Sequence, residues 1–226
     1  MIPSPLTFPF MPAETARRIA QRPVLWPALT LTCIAAIASL ILRWPLVIDA
    51  AAHHLPAGAT QEDRDAITAL LRNELPFRCG ILPMIVGVEL AGFGLLVSIL
   101  ERFPAPLRSL KFKTVLVLCA HGAFLYVSGQ LVVQLIGWSS LANHGLGIPG
   151  LAWIVGTERN YLLAALIRSA NVLTLYCVTL LAVGLRVLFG GSALRSCLVA
   201  FAAWFVSILA NLWLIRLMRD ALHLSV

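Results

Sequence analysis

Residues 114–138 read TVLVLCAHGAFLYVSGQLVVQLIGW, a stretch of 25 residues without a single Asp, Glu, Lys or Arg. A helix needs about 20 predominantly apolar residues to cross a hydrocarbon core of roughly 30 Å, so this stretch is long enough to span a membrane. Four more apolar runs of 19 to 25 residues occur at 24–42, 80–100, 161–185 and 196–215. The sequence therefore predicts an all-α fold, a polytopic membrane helix bundle with about five transmembrane helices.

The composition of the whole chain points the same way. The 226 residues are 60% hydrophobic and only 12% charged, whereas soluble domains are about half apolar and a quarter charged. This balance excludes a soluble enzyme, a disordered tail, a collagen-like fibre and a small disulfide-stapled secreted module. The five cysteines show no metal-type spacing and fit small packing residues.

The basic residues, which give a formal net charge of +7, sit at the ends of the apolar runs. Cytoplasmic loops and anionic headgroups place them there, so we expect lipid contact and no nucleic acid partner. Nine Lys and Arg residues fall on the side of the N-terminus and seven on the opposite side. This count places the N-terminus in the cytoplasm and the C-terminus outside. The Arg-rich, Ala-rich usage favours a bacterial inner membrane.

The chain divides into a cytoplasmic N-terminal tail (1–23), a single membrane domain (24–217) and a C-terminal tail (218–226). We expect the N-terminal tail to lie at the membrane surface. In the first outer loop, a capping-box-like start at Thr60 predicts an amphipathic helix over 60–75, which Pro76 should end. The uncharged, Gly-rich segment 139–157 is too broken to span and fits a re-entrant or interfacial loop.

Two charges fall inside the apolar runs, Glu89 and Arg168. On the predicted topology they lie at matching depths, about 13 and 10 Å below the start of their runs. A bare charge at that depth costs about 2.5 to 3.5 kcal/mol on insertion scales, so we expect the two to form an ion pair. Four uncharged polar side chains also lie inside the apolar runs. Gln130 and Asn211 lie at depths similar to those of the two charges, and Asn171 and His121 lie nearer the midplane or in the inner half of the membrane.

This polar set has two interpretations. It is either a polar lock that holds the helices in register, or a proton or substrate path lined by Glu89, Arg168, His121 and Asn171. The matched, neutralising pair favours the lock.

Small residues at helical spacing form two stripes that permit close helix contact, within the bundle or with another protein. Packing within the bundle is the favoured interpretation of both. The stripes are Gly87, Ala91, Gly94 and Ser98 in the second span, and Ala200, Ala203, Ser207 and Ala210 in the fifth.

The sequence lacks the motifs of enzymes and cofactor sites. No HExxH, GxSxG, phosphate-binding loop or zinc spacing occurs, so we expect no catalytic residues, no cofactor and no enzymatic activity. Asp49, His53 and His54 could supply two or three metal ligands but lack a fourth, so we expect no metal site.

The layout resembles the Yip1 family of five-span membrane proteins, particularly its bacterial branch, over residues 15 to 215. The Gly-rich loop and the Glu89–Arg168 pair have no counterpart in the family pattern. The resemblance is carried by Trp26–Pro27 after a basic tail, Gln61–Glu62–Asp63–Arg64 before Pro76, Phe112–Lys113, Ser169–Ala170–Asn171–Val172–Leu173, Val183–Gly184–Leu185, Gly190–Gly191–Ser192 and Trp204.

The resemblance implies a non-enzymatic protein. Eukaryotic relatives act in vesicle traffic with small GTPases, and some bacterial ones are associated with ABC-type export systems. A GTPase partner is not expected in a bacterium. We therefore expect an accessory, scaffolding or regulatory subunit of a larger membrane complex that contacts other integral membrane proteins. The alternative is a small transporter or channel that uses the polar residues as its path.

Overall fold

The computed structural model of the protein describes residues 4–53, 55, 58–102, 111–135 and 171–221, with side chains in the last stretch described through residue 210 and at 213. Five of its helices are long and apolar enough to cross a membrane. The predicted all-α, multi-pass membrane architecture is therefore confirmed. The elements are a 3-10 turn (Pro5–Thr7), α1 (Pro12–Gln21), α2 (Trp26–His53), α3 (Gln61–Leu100), α4 (Phe112–Leu135), α5 (Val172–Phe189) and α6 (Ala193–Ala221).

Helix α4 is the centre of the bundle. It packs against α2, α3 and α5, while α6 packs against α5 and α3. Helices α4 and α5 make two close contacts, where Gly184 faces Leu118 and Gly129 faces Leu173. A Cβ atom added at Gly184 would lie 2.6 Å from Leu118 Cδ1, and one at Gly129 would lie 2.7 Å from Leu173 Cδ2. The order of these contacts shows that α4 and α5 run antiparallel.

The first outer helix and the second span form one continuous helix, α3, of 40 residues. Its start is as predicted, because Thr60 Oγ1 accepts from Asp63 N at 3.2 Å while Thr60 N donates to Asp63 Oδ2 at 2.8 Å. The prediction that Pro76 ends this helix is wrong. A proline removes one backbone N–H and crowds one carbonyl, a local defect that a long helix packed against neighbours tolerates.

Helix α3 is too long to lie entirely within the membrane, so its first part is expected to lie outside the hydrocarbon core. At 1.5 Å per residue, 40 residues extend about 60 Å, roughly twice the thickness of the hydrocarbon core. The part near residue 71 pairs with the end of α2, because Trp44 Nε1 donates to the Leu71 carbonyl at 3.1 Å. The helix predicted as a separate element over 60–75 is therefore the projecting start of the second span.

Within the described residues, the fourth span is represented by α5, whose first helical residue is Val172. Asn171 is the N-cap of α5, with extended backbone (φ −91°, ψ 165°), and its Oδ1 accepts from Thr174 N at 2.8 Å. Asparagine is a favoured N-cap because its side chain satisfies a free backbone N–H, and an apolar run alone does not reveal this. At its other end α5 runs to Phe189 and is followed by Gly190 in the left-handed conformation (φ +71°).

Two other boundaries also differ from the prediction. Helix α2 runs to His53, well past the predicted end at 42 and through Pro45. Helix α6 runs to Ala221, so the first residues of the predicted C-terminal tail are helical. The predicted loop over 139–157, and the predicted parts of spans at 136–138 and 161–170, lie outside the described residues.

The N-terminal segment is part of the bundle core and not a surface-lying tail as expected. Phe8, Ala16 and Ile19 are each 0% exposed, and α1 packs against α5 and α4. Tyr176 Oη donates to the Pro9 carbonyl at 2.9 Å. A short amphipathic helix can bury one face without containing a long apolar run, which is why hydropathy missed it. That the N-terminus lies on the cytoplasmic side of the membrane stays a prediction.

Candidate functional site

Glu89 is exposed on α3, one of the helices long and apolar enough to cross a membrane. It lies eleven residues from Leu100, which is about 16 Å along the helix axis and about half of the hydrocarbon core. The proposed partner Arg168 lies outside the described residues, as does the side chain of Asn211. The ion pair between Glu89 and Arg168 therefore stays a prediction.

His121 and Asn171 make local structural contacts. The His121 ring is fully buried, with Nδ1 2.8 Å from the Val117 carbonyl, and it meets the Phe8 ring edge-on at 5.9 Å between centroids. Asn171 caps α5 through Thr174. These hydrogen bonds lie within single helices, so the lock and the path both stay predictions.

Gln130 takes part in a polar cluster between α2 and α4 that sequence reasoning missed. Its Oε1 accepts from Arg43 Nη2 at 3.4 Å, and the Gln134 amide lies within 3.0 Å of Ser39 Oγ. With its amide oxygen turned toward Arg43, Gln134 also accepts from the guanidinium. The sequence signal was available, since Gln130 and Gln134 are one turn apart and share a helix face.

A second missed feature is a buried ion pair between α3 and α6. The Glu101 side chain is 1% exposed, and its Oε2 lies 3.6 Å from Arg195 Nε. Arg195 Nη2 also donates to the Glu101 carbonyl. Burial raises the pKa of the Glu101 carboxyl, and the Arg195 cation opposes part of that shift. Both residues fall just outside apolar runs, where charges are ordinarily solvated, so no sequence pattern indicated that they pair.

This burial predicts a pH dependence of stability. Because the pKa of Glu101 is raised in the folded protein, the folded state holds the proton more tightly than the unfolded chain does. The contribution of Glu101 to the free energy of unfolding is therefore greatest below the ordinary carboxyl pKa of about 4.3 and falls as the pH rises above it.

Thermal unfolding in detergent between about pH 4 and pH 8 tests this expectation. The unfolding midpoint of the native protein, measured relative to that of Glu101→Gln, should fall as the pH rises, because glutamine does not titrate. Glu62→Gln, at an exposed position in the first turn of α3, is the matched control. Parallel curves for the native protein and Glu101→Gln would contradict the expectation.

The two small-residue stripes divide between internal packing and exposed surface. In α3, Gly94 is buried, and a Cβ there would lie 3.2 Å from Leu116 Cδ1. Gly87 has open space around it and Ala91 is exposed. In α6, Ala200 and Ala203 are fully buried in the core, Ser207 is half-buried and Ala210 is exposed. Each stripe therefore packs inside the bundle over only part of its length.

Among the described residues, no three His, Cys, Asp or Glu side chains converge on a metal-binding arrangement. Comparisons with protein-family models, with curated proteins and with solved structures found no match for this chain. The function is therefore argued from the geometry of the bundle itself.

Proposed function

We propose that this protein is a non-enzymatic accessory, scaffolding or regulatory subunit of a larger membrane complex, and that it contacts its partner through α3. One observation carries the proposal, the exposure of Glu89 on α3, and its distance from the end of the helix implies a position near mid-depth of the membrane. A carboxylate facing lipid there is costly, about 2.5 to 3.5 kcal/mol on insertion scales. A helix of another protein that offers a cationic or hydrogen-bond-donating side chain at that depth removes the cost.

The surface beside Glu89 suits helix contact. Its residues recur every three or four positions, and large apolar side chains such as Val88, which is 66% exposed, alternate with small ones. A Cβ atom at Gly92 would meet nothing within 4 Å, so a partner backbone can approach closely there. We call this surface the α3 face, made of Met84, Val88, Ala91, Gly92, Leu95 and Ile99 and bordered by Glu89.

Other parts of the proposal rest on the sequence. The distribution of Lys and Arg supports a cytoplasmic N-terminus and an outside C-terminus. Composition supports a bacterial inner membrane, and the resemblance to the Yip1 family supports a subunit of an export system. These assignments stay predictions.

The alternative, a small transporter or channel, also stays a prediction. Its path requires His121 and Asn171 to face a polar route together with Glu89 and Arg168. Among the described residues, His121 is fully buried against Phe8, and Asn171 caps a helix. The N-cap role of Asn171 supports the subunit over the path.

Glu89→Gln tests the proposal. Interhelical polar contacts contribute about 0.6 kcal/mol on average and about 1.7 at most, so we expect a 3- to 18-fold weaker association with the complex. The amount of folded protein and its unfolding temperature should not change. The measurement is the fraction of tagged protein that elutes with its complex after mild detergent extraction.

Two controls separate the alternatives. Glu62→Gln, exposed in the first turn of α3, should leave the elution profile unchanged. If Arg168 neutralises Glu89 within the chain, Arg168→Gln and Glu89→Gln should both lower the unfolding temperature of the isolated protein. Normal assembly of Glu89→Gln with loss of solute flux would instead support a transporter and contradict the subunit.

A further inference from the structure

The N-terminal segment, residues 4–22, has two apolar surfaces, and the bundle covers only one of them. Phe8, Ala16 and Ile19 are buried against α4 and α5. Phe10 is 84% exposed, and its neighbours Leu6 and Met11 are exposed as well. When a packed segment also exposes large apolar side chains, those side chains are expected to contact an apolar environment such as lipid.

The position of this exposed surface along α4 implies the depth of lipid acyl chains. The Phe8 ring contacts His121, which lies nine residues, or about 13 Å, along α4 from Phe112. The chain then leads through α1 to Trp26 at the start of α2, which is exposed. Tryptophan is enriched at the membrane–water interface, so α1 connects acyl depth to the headgroup region.

The net charge of α1 and its C-cap Arg22 is positive, and the basic residues sit toward the interfacial end. Glu14 pairs with Arg18 one turn later, which leaves Arg17 and Arg22, both exposed. Within the described part of the chain, no carboxylate lies within ion-pair distance of either one. Two cations beside exposed apolar side chains complement a ligand with an anionic head and apolar chains.

We propose that the N-terminal segment binds anionic phospholipid, with the headgroups at Arg17 and Arg22 and the acyl chains along Phe10 and Met11. A soluble anion fits only half of this surface, because it offers nothing to the exposed apolar side chains. The bound lipid covers the outer side of a segment whose inner side fills the bundle core.

The test is a titration of purified, delipidated full-length protein in mild detergent with phosphatidylglycerol, with phosphatidylcholine as the zwitterionic comparison. Native mass spectrometry counts the bound lipids. We expect phosphatidylglycerol to bind more tightly than phosphatidylcholine. Replacing both arginines (Arg17→Gln with Arg22→Gln) should weaken phosphatidylglycerol binding about 30-fold, at about 1 kcal/mol for each arginine near the surface.

The matched control replaces Arg64 and Arg72, both exposed on α3, with Gln and should leave phosphatidylglycerol binding unchanged. Phe10→Ser should weaken binding of both lipids, because it removes an acyl contact and leaves the charges in place. Equal binding of the two lipids to the native protein would overturn the proposal. So would an equal loss of phosphatidylglycerol binding in the Arg64 and Arg72 control variant and in the Arg17 and Arg22 variant. Competition by free glycerol phosphate at the same concentration as the lipid would also overturn it, since the ligand would then be a soluble anion.

Discussion

Phe8→Ala should lower the free energy of unfolding by about 3 kcal/mol, the largest single effect expected in this protein. Phe8 is 0% exposed and belongs to the hydrophobic core formed with α4 and α5. Truncation of a buried phenylalanine to alanine removes most of its packing contacts and leaves a cavity that neighbours fill only in part. The ring also contacts the buried His121, which would face that cavity.

The matched control is Phe10→Ala, two residues away and 84% exposed, which should change the free energy of unfolding by less than about 0.5 kcal/mol. Chemical unfolding in mild detergent, followed by tryptophan fluorescence, gives both values. If the two variants are equally stable, residues 5–21 are a surface tail as the sequence predicted and the packed arrangement is wrong.

Gly184→Val should lower the free energy of unfolding by about 2 kcal/mol. A Cβ atom at Gly184 would lie 2.6 and 2.9 Å from the two terminal carbons of Leu118. Leu118 is itself fully buried, so it cannot move aside without disturbing α4. Overfilling a packed core typically costs 1 to about 3 kcal/mol. Gly129→Val meets Leu173 at the second close contact, but Leu173 is only half-buried and can move aside, so the loss should be smaller.

Gly122→Val is the control for this prediction. It lies in α4 between the same two contact points, and a Cβ atom there would meet nothing within 4 Å. Its helix-propensity change is the same as that of the test variants. In thermal unfolding in detergent, the unfolding temperature of Gly122→Val should therefore be well above that of Gly184→Val. The opposite order would mean that α4 and α5 do not cross at these glycines.

The sequence predicted the parts of the fold that depend on long apolar runs. Five uncharged or nearly uncharged runs predicted five spans, and the Thr60–Asp63 pair located the start of α3. Hydropathy does not locate helix boundaries. Asn171 begins a helix inside an apolar run, whereas Pro76 does not end one, because capping residues and packing decide where helices begin and end.

The polar contacts were harder to predict for a different reason. Glu101 and Arg195 are far apart in the chain and lie just outside the apolar runs, so only the packing of α3 against α6 shows that the pair is buried. Phe8 likewise lies in a proline-rich segment without an apolar run. Glu89 was selected from its position in an apolar run alone, and its role stays a prediction; the structure adds that it is exposed.

The most direct test of the proposed function is photocrosslinking in native membranes, with a photoreactive residue at Val88 on the α3 face and, separately, at Leu198 on α6, which is 62% exposed. We predict that Val88 crosslinks to one partner polypeptide, that Leu198 does not, and that Glu89→Gln reduces the Val88 product about 3- to 18-fold. If the two positions give the same products, or if Val88 gives no protein adduct, the α3 face is not a subunit interface.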